Sequence, residues 1–374
     1  MRSKIIIMLS VALLVLIGSD LRLSANWQAE WEETVAAAKK EGKLALHMGP
    51  TVNGEKVAFA FQEKYPEIKL TTGVRRTGHF VARLMTERRA KKYVWDVCMC
   101  GPTGPFRTLH PAKALASVKS ELILPEVKDE SKWWSGKHLY VDPDGQYILA
   151  YIGTASGGNV FYNTNLIDPN EIKSYRDLLS PKWKGKILAL DPRSPGPQRA
   201  GGRMFYYSPE LGPKYIQQLF GEMGVTISRS RRQATDWLVV GKYPICLWCN
   251  DARIARGQGL PVDEFETVRW KETPYLSLGG TGSIIRINQT PHPNAAKVFI
   301  NWILSREGQT TYQKIVNSQD SVVESLRVDI PKDPIPEWRR RKKGVKYFVM
   351  STPERSNQRP VNKFFNKVIM TRRK

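Results

Sequence analysis

The sequence is short of cysteine, histidine, acidic residues and long apolar runs, and each shortage excludes something. Four Cys among 374 residues exclude a disulfide-dense miniature scaffold. The five His (His47, His79, His110, His138, His292) are scattered, with no His-x-x-x-His or His-Glu-x-x-His spacing for zinc. A Gly-x-Ser-x-Gly elbow and a Walker loop are absent, and Gly280-Thr281-Gly282 lacks the third Gly of a dinucleotide fingerprint. One stretch alone is apolar enough to touch a membrane, which excludes a multi-span transporter. Asp and Glu number 35 against 58 Lys and Arg, for a formal charge of +23. The rest is ordinary: 25% charged and 41% hydrophobic residues fit a globular chain long enough for two or three domains.

The N-terminus reads as a targeting segment. Arg2 and Lys4 precede an apolar run from Ile5 to Ile17, and a polar stretch ends in Leu23-Ser24-Ala25. That basic, apolar, small-residue order is a secretory signal peptide over residues 1–25, its apolar run short of the ~20 residues a spanning helix needs. Cleavage after Ala25 leaves a mature chain beginning Asn26-Trp27, expected in the periplasm.

Residues 327–374 hold 15 Lys/Arg against four Asp/Glu, so nearly half of the excess charge lies in the last 48 residues. A basic tail often serves as a nucleic-acid arm, but export argues against nucleic acid as a partner. The expectation is a solvated tail attracted to an anionic membrane surface or an acidic partner.

Between these ends, strand-like and helical patterns alternate. Trp27 to Lys40 is an amphipathic helix ended by Glu41-Gly42; Leu44 to Met48, Ile68 to Thr72 and Trp95 to Met99 read as strands. Such alternation implies a mostly parallel sheet with right-handed crossovers, and ligands of open sheets sit beyond the strand C-termini. The loops at 49–51, 76–78 and 101–104 are therefore expected on one edge. Helices over Asn294 to Leu304 and Glu307 to Val316 close the second half.

Several stretches resemble bacterial ABC-transporter periplasmic substrate-binding proteins of type II, in their ferric-iron-binding-like branch. They are Ala37 to Leu44, Phe61-Gln62-Glu63-Lys64-Tyr65-Pro66, Tyr162-Asn163-Thr164-Asn165-Leu166, Ser174 to Lys186, and Pro291-His292-Pro293-Asn294 with Asn301 to Gln309. The resemblance covers roughly residues 30–320, in order. It implies an α/β, bilobal fold: two α/β lobes, a hinge and an interlobe ligand cleft. The expected division is 26–148 for the first part of lobe 1, 149–275 for lobe 2, 276–325 for the return to lobe 1, and 326–374 for a basic C-terminal extension. It also implies no enzyme activity, a small-molecule or ion ligand, delivery to an ABC permease in the inner membrane, and a monomer. The competing reading is an exported transferase or hydrolase on a similar scaffold.

Ferric-binding members of that family resemble one another in carrying two adjacent Tyr at a strand end. The matching stretch here, Gly241-Lys242-Tyr243-Pro244-Ile245 to Asp251, has no such pair, and Tyr206-Tyr207 stands about 40 residues earlier, where packing is the plainer role. No cofactor or metal site is therefore expected, with Fe(III) the open alternative as cargo. In its place the loops offer a cationic, hydrogen-bonding set for a small organic anion: Thr51, Arg76, Thr77, Gly78, Gly101 and Thr103 from the first lobe, and Arg193, Ser194, Gly196, Asn250 and Asp251 from the second. Trp248 either walls that site or belongs to the core. A disulfide within Cys98-x-Cys100 would be strained on a strand, because the two side chains share one face, whereas Cys246 and Cys249 join only if the strand turns between them.

Overall fold

A computed structural model describes residues 26–318, 322–352 and 354–371. The expected signal peptide and the basic Arg372-Arg373-Lys374 lie outside the described residues. The chain divides into two compact units. Unit 1 gathers the sequence up to Tyr151 with Gly280–Val316 and Ser325–Pro331; unit 2 gathers Ile152–Gly279, Asn317–Glu324 and Lys332–Lys374.

Unit 1 is built on a seven-stranded sheet. Lys69–Val74, Lys43–Met48 and Val97–Cys100 run parallel side by side. In chain order Gly54–Lys64 links Lys43–Met48 to Lys69–Val74, and Thr77–Arg89 links Lys69–Val74 to Val97–Cys100, as the alternation predicted. The sheet is not parallel throughout. Ser283–Ile287, arriving from unit 2, inserts antiparallel between Val97–Cys100 and Ile148–Ala150. A returning strand needs no crossover helix, so sequence alternation does not reveal its direction. The helix Pro293–Leu304 buries every residue from Val298 to Leu304, among them Asn301, whose side chain accepts from the amides of Ile123 and Leu124.

Unit 2 has a five-stranded sheet in the order Thr226–Ser228, Ile187–Leu190, Ile245–Leu247, Val160–Asn163, Val262–Glu264. The first three are parallel and the last two antiparallel to their neighbours. A smaller sheet joins Thr154–Ser156, Tyr275–Ser277 and Phe348–Val349.

The charged C-terminal stretch is not the solvated tail expected of it. Phe348–Val349 completes the small sheet of unit 2, and the helix Gln358–Met370 buries Val361, Phe365 and Val368 in the same apolar cluster as Phe205, Phe220 and Trp248. Arg341 is 8% exposed, with its guanidinium on Glu324 and on the carbonyl of Gly153. The physical reason is amphipathicity: the basic residues of 358–370 share one face while Val361, Phe365 and Val368 recur at helical spacing on the other. Among the described residues no helix is long and apolar enough to cross a membrane.

Candidate functional site

Unit 2 contains a cavity of about 240 Å³, walled by the strands Thr154–Ser156 and Tyr275–Ser277, the first turn of the helix Pro197–Tyr207, Trp248, Arg253 and Arg339. Its back wall is set by the end of a strand. Ile245–Leu247 stops because Trp248 takes a left-handed backbone, φ 67°. That conformation is costly for a bulky residue and persists only where the surroundings over-determine it. Here they do. The Trp248 amide donates to Asn159 at 2.8 Å, its carbonyl accepts from Asn250 at 2.9 Å, and its fully buried indole lies parallel to Phe220. The same turn brings Cys249 back to Cys246, and the two form a disulfide with Cα atoms 5.9 Å apart. The condition set by the sequence, a turn between the two Cys, is met. Cys98 and Cys100 are free and buried on their strand. Titration of the denatured, unreduced chain should accordingly find two thiols; four would refute the Cys246–Cys249 bond.

The cavity is rich in donors. Arg253 grips Glu264 through two hydrogen bonds of 2.8 and 2.7 Å, and Arg339 approaches the same carboxylate at 3.9 Å. Two guanidiniums thus share one carboxylate, leaving a net positive charge. Burial lowers the Arg339 pKa, opposed by Glu264 and reinforced by Arg253, yet a guanidinium so far above neutrality stays charged. Burial pushes the Tyr275 phenol up, partly offset by its hydrogen bond with Ser156, so it stays a neutral hydroxyl. The indole Nε1 of Trp248 and the Nε of Arg339 are buried without a hydrogen-bond partner. Buried donors of that kind cost free energy unless an acceptor meets them.

The residues expected from sequence fall into two sets. In unit 1, Thr51, Arg76, Thr77, Gly78, Gly101 and Thr103 follow the C-terminal ends of three adjacent parallel strands, which places their loops at one end of the sheet. Arg76 is exposed just before the helix Thr77–Arg89, and Thr77 comes close to Gly104 of the next loop. In unit 2, Trp248 walls the cavity and Asn250 supports its turn, but other members are committed elsewhere. Arg193 donates from Nε and Nη2 to Asp191, each at 2.7 Å, and from Nη1 to Asn366 at 3.0 Å. Burial would raise the Asp191 pKa, but Arg193 and Arg229 outweigh it and the net shift is downward. Ser194 caps the same turn through its amide, Gly196 (φ 132°) opens the helix Pro197–Tyr207, and Asp251 pairs with Arg231. Tyr206 and Tyr207 pack against one another, Tyr206 against Phe364, and the Tyr207 hydroxyl donates to the carbonyl of Asn357; they are packing residues.

Sequence reasoning missed Arg253, Arg339, Tyr275 and Ser156. Arg339 carried no signal, because it opens the basic run Arg339 to Lys343, which reads as solvated surface. Among the described residues, His110, Asp142 and Asp144 come within reach of a common metal ion. Both oxygens of Asp142, however, accept from the amides of Gln146, Tyr147 and Ile148, so the group reads as a capped turn.

The two-unit α/β fold is that of type II periplasmic binding proteins. Among solved structures, the chain superposes on the FutA protein of Trichodesmium, in complex with iron and citrate, with a TM-score of 0.62 at 14% identity, covering 87% of this chain and 99% of that one. It also superposes on the periplasmic binding protein AfuA of Actinobacillus pleuropneumoniae, with fructose-6-phosphate bound, at a TM-score of 0.54 and 19% identity over 88% and 98% of the two chains. In sequence it is 28% identical over 168 residues to the spermidine/putrescine-binding periplasmic protein of Escherichia coli (strain K12), covering 42% of this chain and 48% of the relative. The chain thus spans about half the length of the curated relatives it first matches. No protein-family model matches it. The resemblance drawn from the sequence stands in both comparisons, and the relatives named are binding proteins rather than enzymes.

Proposed function

We propose that this protein is the periplasmic solute-binding component of an ABC importer, and that its ligand is a small organic anion, delivered to an inner-membrane permease by a monomer. The observation that carries the anion is the imbalance in the unit 2 cavity: Arg253 and Arg339 share a single carboxylate, and two further buried donors, on Trp248 and Arg339, have no acceptor. A carboxylate or phosphate supplies oxygens for each of them. The solved relatives with iron and citrate or with fructose-6-phosphate carry anions of that kind.

A polyamine, which the E. coli relative's name suggests, is the second reading. It fits the cavity poorly, because a cationic ligand needs carboxylates and Glu264 is already held by Arg253. Ferric iron arriving with an anion remains compatible with a donor-rich wall, though Tyr275 alone does not make a phenolate pair. Thermal-shift screening separates these. A ligand at 100 times its Kd adds about 2.7 kcal/mol to folded stability. Citrate or a sugar phosphate should raise the melting temperature and spermidine should leave it unchanged. Arg339→Ala should weaken the anion about 10- to 100-fold, the range for a hydrogen bond to a charged group. A shift with spermidine and none with anions would overturn the reading.

A further inference from the structure

A second cavity in unit 2, of about 390 Å³, lies between residues 268–274 and the loop after Trp338. Its lining includes Arg269, Lys271, Arg340, Lys342 and Lys346, with Trp270, Trp338 and Tyr347 as flat walls. The basic side chains belong to a built loop. The Lys342 amide donates to the Tyr347 hydroxyl at 2.9 Å, the Val345 amide closes back on Lys342, and Gly344 takes φ 82° to make the turn. Phe348–Val349 then anchors the loop by pairing parallel with Tyr275–Ser277. Lys342 and Lys346 are thereby carried to the same cavity.

Neutralising groups are scarce. Glu272, the carboxylate in the lining, accepts from Ser174 Oγ at 2.5 Å and from the Tyr175 amide at 3.1 Å. Glu266 pairs with Arg269, and Glu210 is held by Thr273. Among the described residues Lys271, Arg340, Lys342 and Lys346 form no ion pair. Four or five cations around one concavity repel one another and concentrate anions. A single exposed charge pair gains only about two- to fivefold in affinity, so a monovalent anion binds poorly and a multivalent one is selected.

We propose that this cavity is a second anion site, which takes a phosphate-bearing polyanion, either free or as a lipid headgroup. About half of its lining, Lys342 and Lys346 included, comes from the C-terminal segment outside the family resemblance, and the site does not depend on the ligand of the Arg339 cavity. Calorimetric titration of the full chain with sodium triphosphate tests it, beside vesicles of phosphatidylglycerol and of phosphatidylcholine. Triphosphate should bind at one site, and Lys342→Glu with Lys346→Glu should weaken it tenfold or more. The matched exposed pair Lys128→Glu with Lys137→Glu, which changes the net charge equally, should not, and Arg339→Ala should retain it. Binding of phosphatidylglycerol vesicles that is lost in the Lys342/Lys346 variant assigns the headgroup as the source. Equal weakening in both charge-reversal variants, or no binding of triphosphate or anionic vesicles, would overturn the site. Lys342→Gln with Lys346→Gln, milder on the loop, repeats the test if the reversed pair does not fold.

Discussion

Replacing Gly201 by alanine is expected to destabilise unit 2 by about 3 kcal/mol, the upper part of the range for overpacking a core, and to abolish anion binding. On an ordinary helix the same change gains up to about 1 kcal/mol, so the sign itself is the test. Gly201 sits in the helix Pro197–Tyr207 with no room for a side chain: a Cβ there would stand 1.9 Å from the Trp248 Nε1 and 2.3 Å from its Cδ1. The indole has nowhere to retreat. Its backbone is fixed at φ 67° between the two bonded cysteines, and its ring is held against Phe220 and Phe205. Either the helix or the ring must move, and both line the cavity. Gly221→Ala is the control, because its Cβ meets the flexible end of Gln217 at 3.0 Å. Urea unfolding and anion titration on both variants check this. A Gly201→Ala protein as stable as the parent would show that Trp248 is not pinned as described.

The parts of this architecture legible in the sequence are those set by local chemistry. Apolar periodicity located the helices that end at Leu304 and Val316, and Gly or Pro marked the strand ends that carry Thr51, Arg76 and Gly101. Trp248 was visible as an aromatic after an apolar run, but its role hung on a backbone angle that no pattern in Pro244 to Asn250 encodes. The arginines show the limit most clearly. Arg193 follows a strand and precedes a helix, as a ligand residue should, yet Asp191 two positions earlier takes its guanidinium. Arg339 lies in a run of five basic residues that reads as surface, yet it shares its cavity with Tyr275–Ser277 and Thr154–Ser156, strands more than 60 and more than 180 positions earlier in the chain. Charge counts register how many cations exist. Which of them meets a carboxylate is decided by contacts between distant segments, and a single sequence does not display those.

Arg327→Ala should cost unit 1 about 2–3 kcal/mol, because a fully buried guanidinium and its hydrogen bonds are lost while the carboxylates left behind stay partly solvated. The side chain is fully buried and serves several acceptors at once. Its Nε and Nη2 hold Asp329 at 2.9 and 2.8 Å, Nη2 also reaches Glu126 at 3.1 Å, and Nη1 donates to the carbonyl of Leu304 at 3.0 Å. The guanidinium lies over the Trp133 ring, and the Arg327 backbone bridges to Trp133. One residue thus ties the segment Ser325–Pro331 to the helix Pro293–Leu304 and to the turn at Glu126. Removing it strands a carbonyl and leaves Asp329 without its counter-charge. The pH dependence distinguishes this from a simple packing defect. Hydrogen bonding to Arg327 lowers the Asp329 pKa, so the folded value lies below the unfolded one. The resulting stability is fully present above the ordinary Asp value of about 3.9 and is lost as pH falls through the lowered folded value. The variant should lack that component. Its deficit relative to the parent, measured by urea unfolding, should be greatest near pH 7 and shrink as the pH falls below about 4. A deficit under about 1 kcal/mol at pH 7 would remove Arg327 from the centre of unit 1, and one that does not change with pH would assign its effect to lost packing rather than to the Asp329 pair.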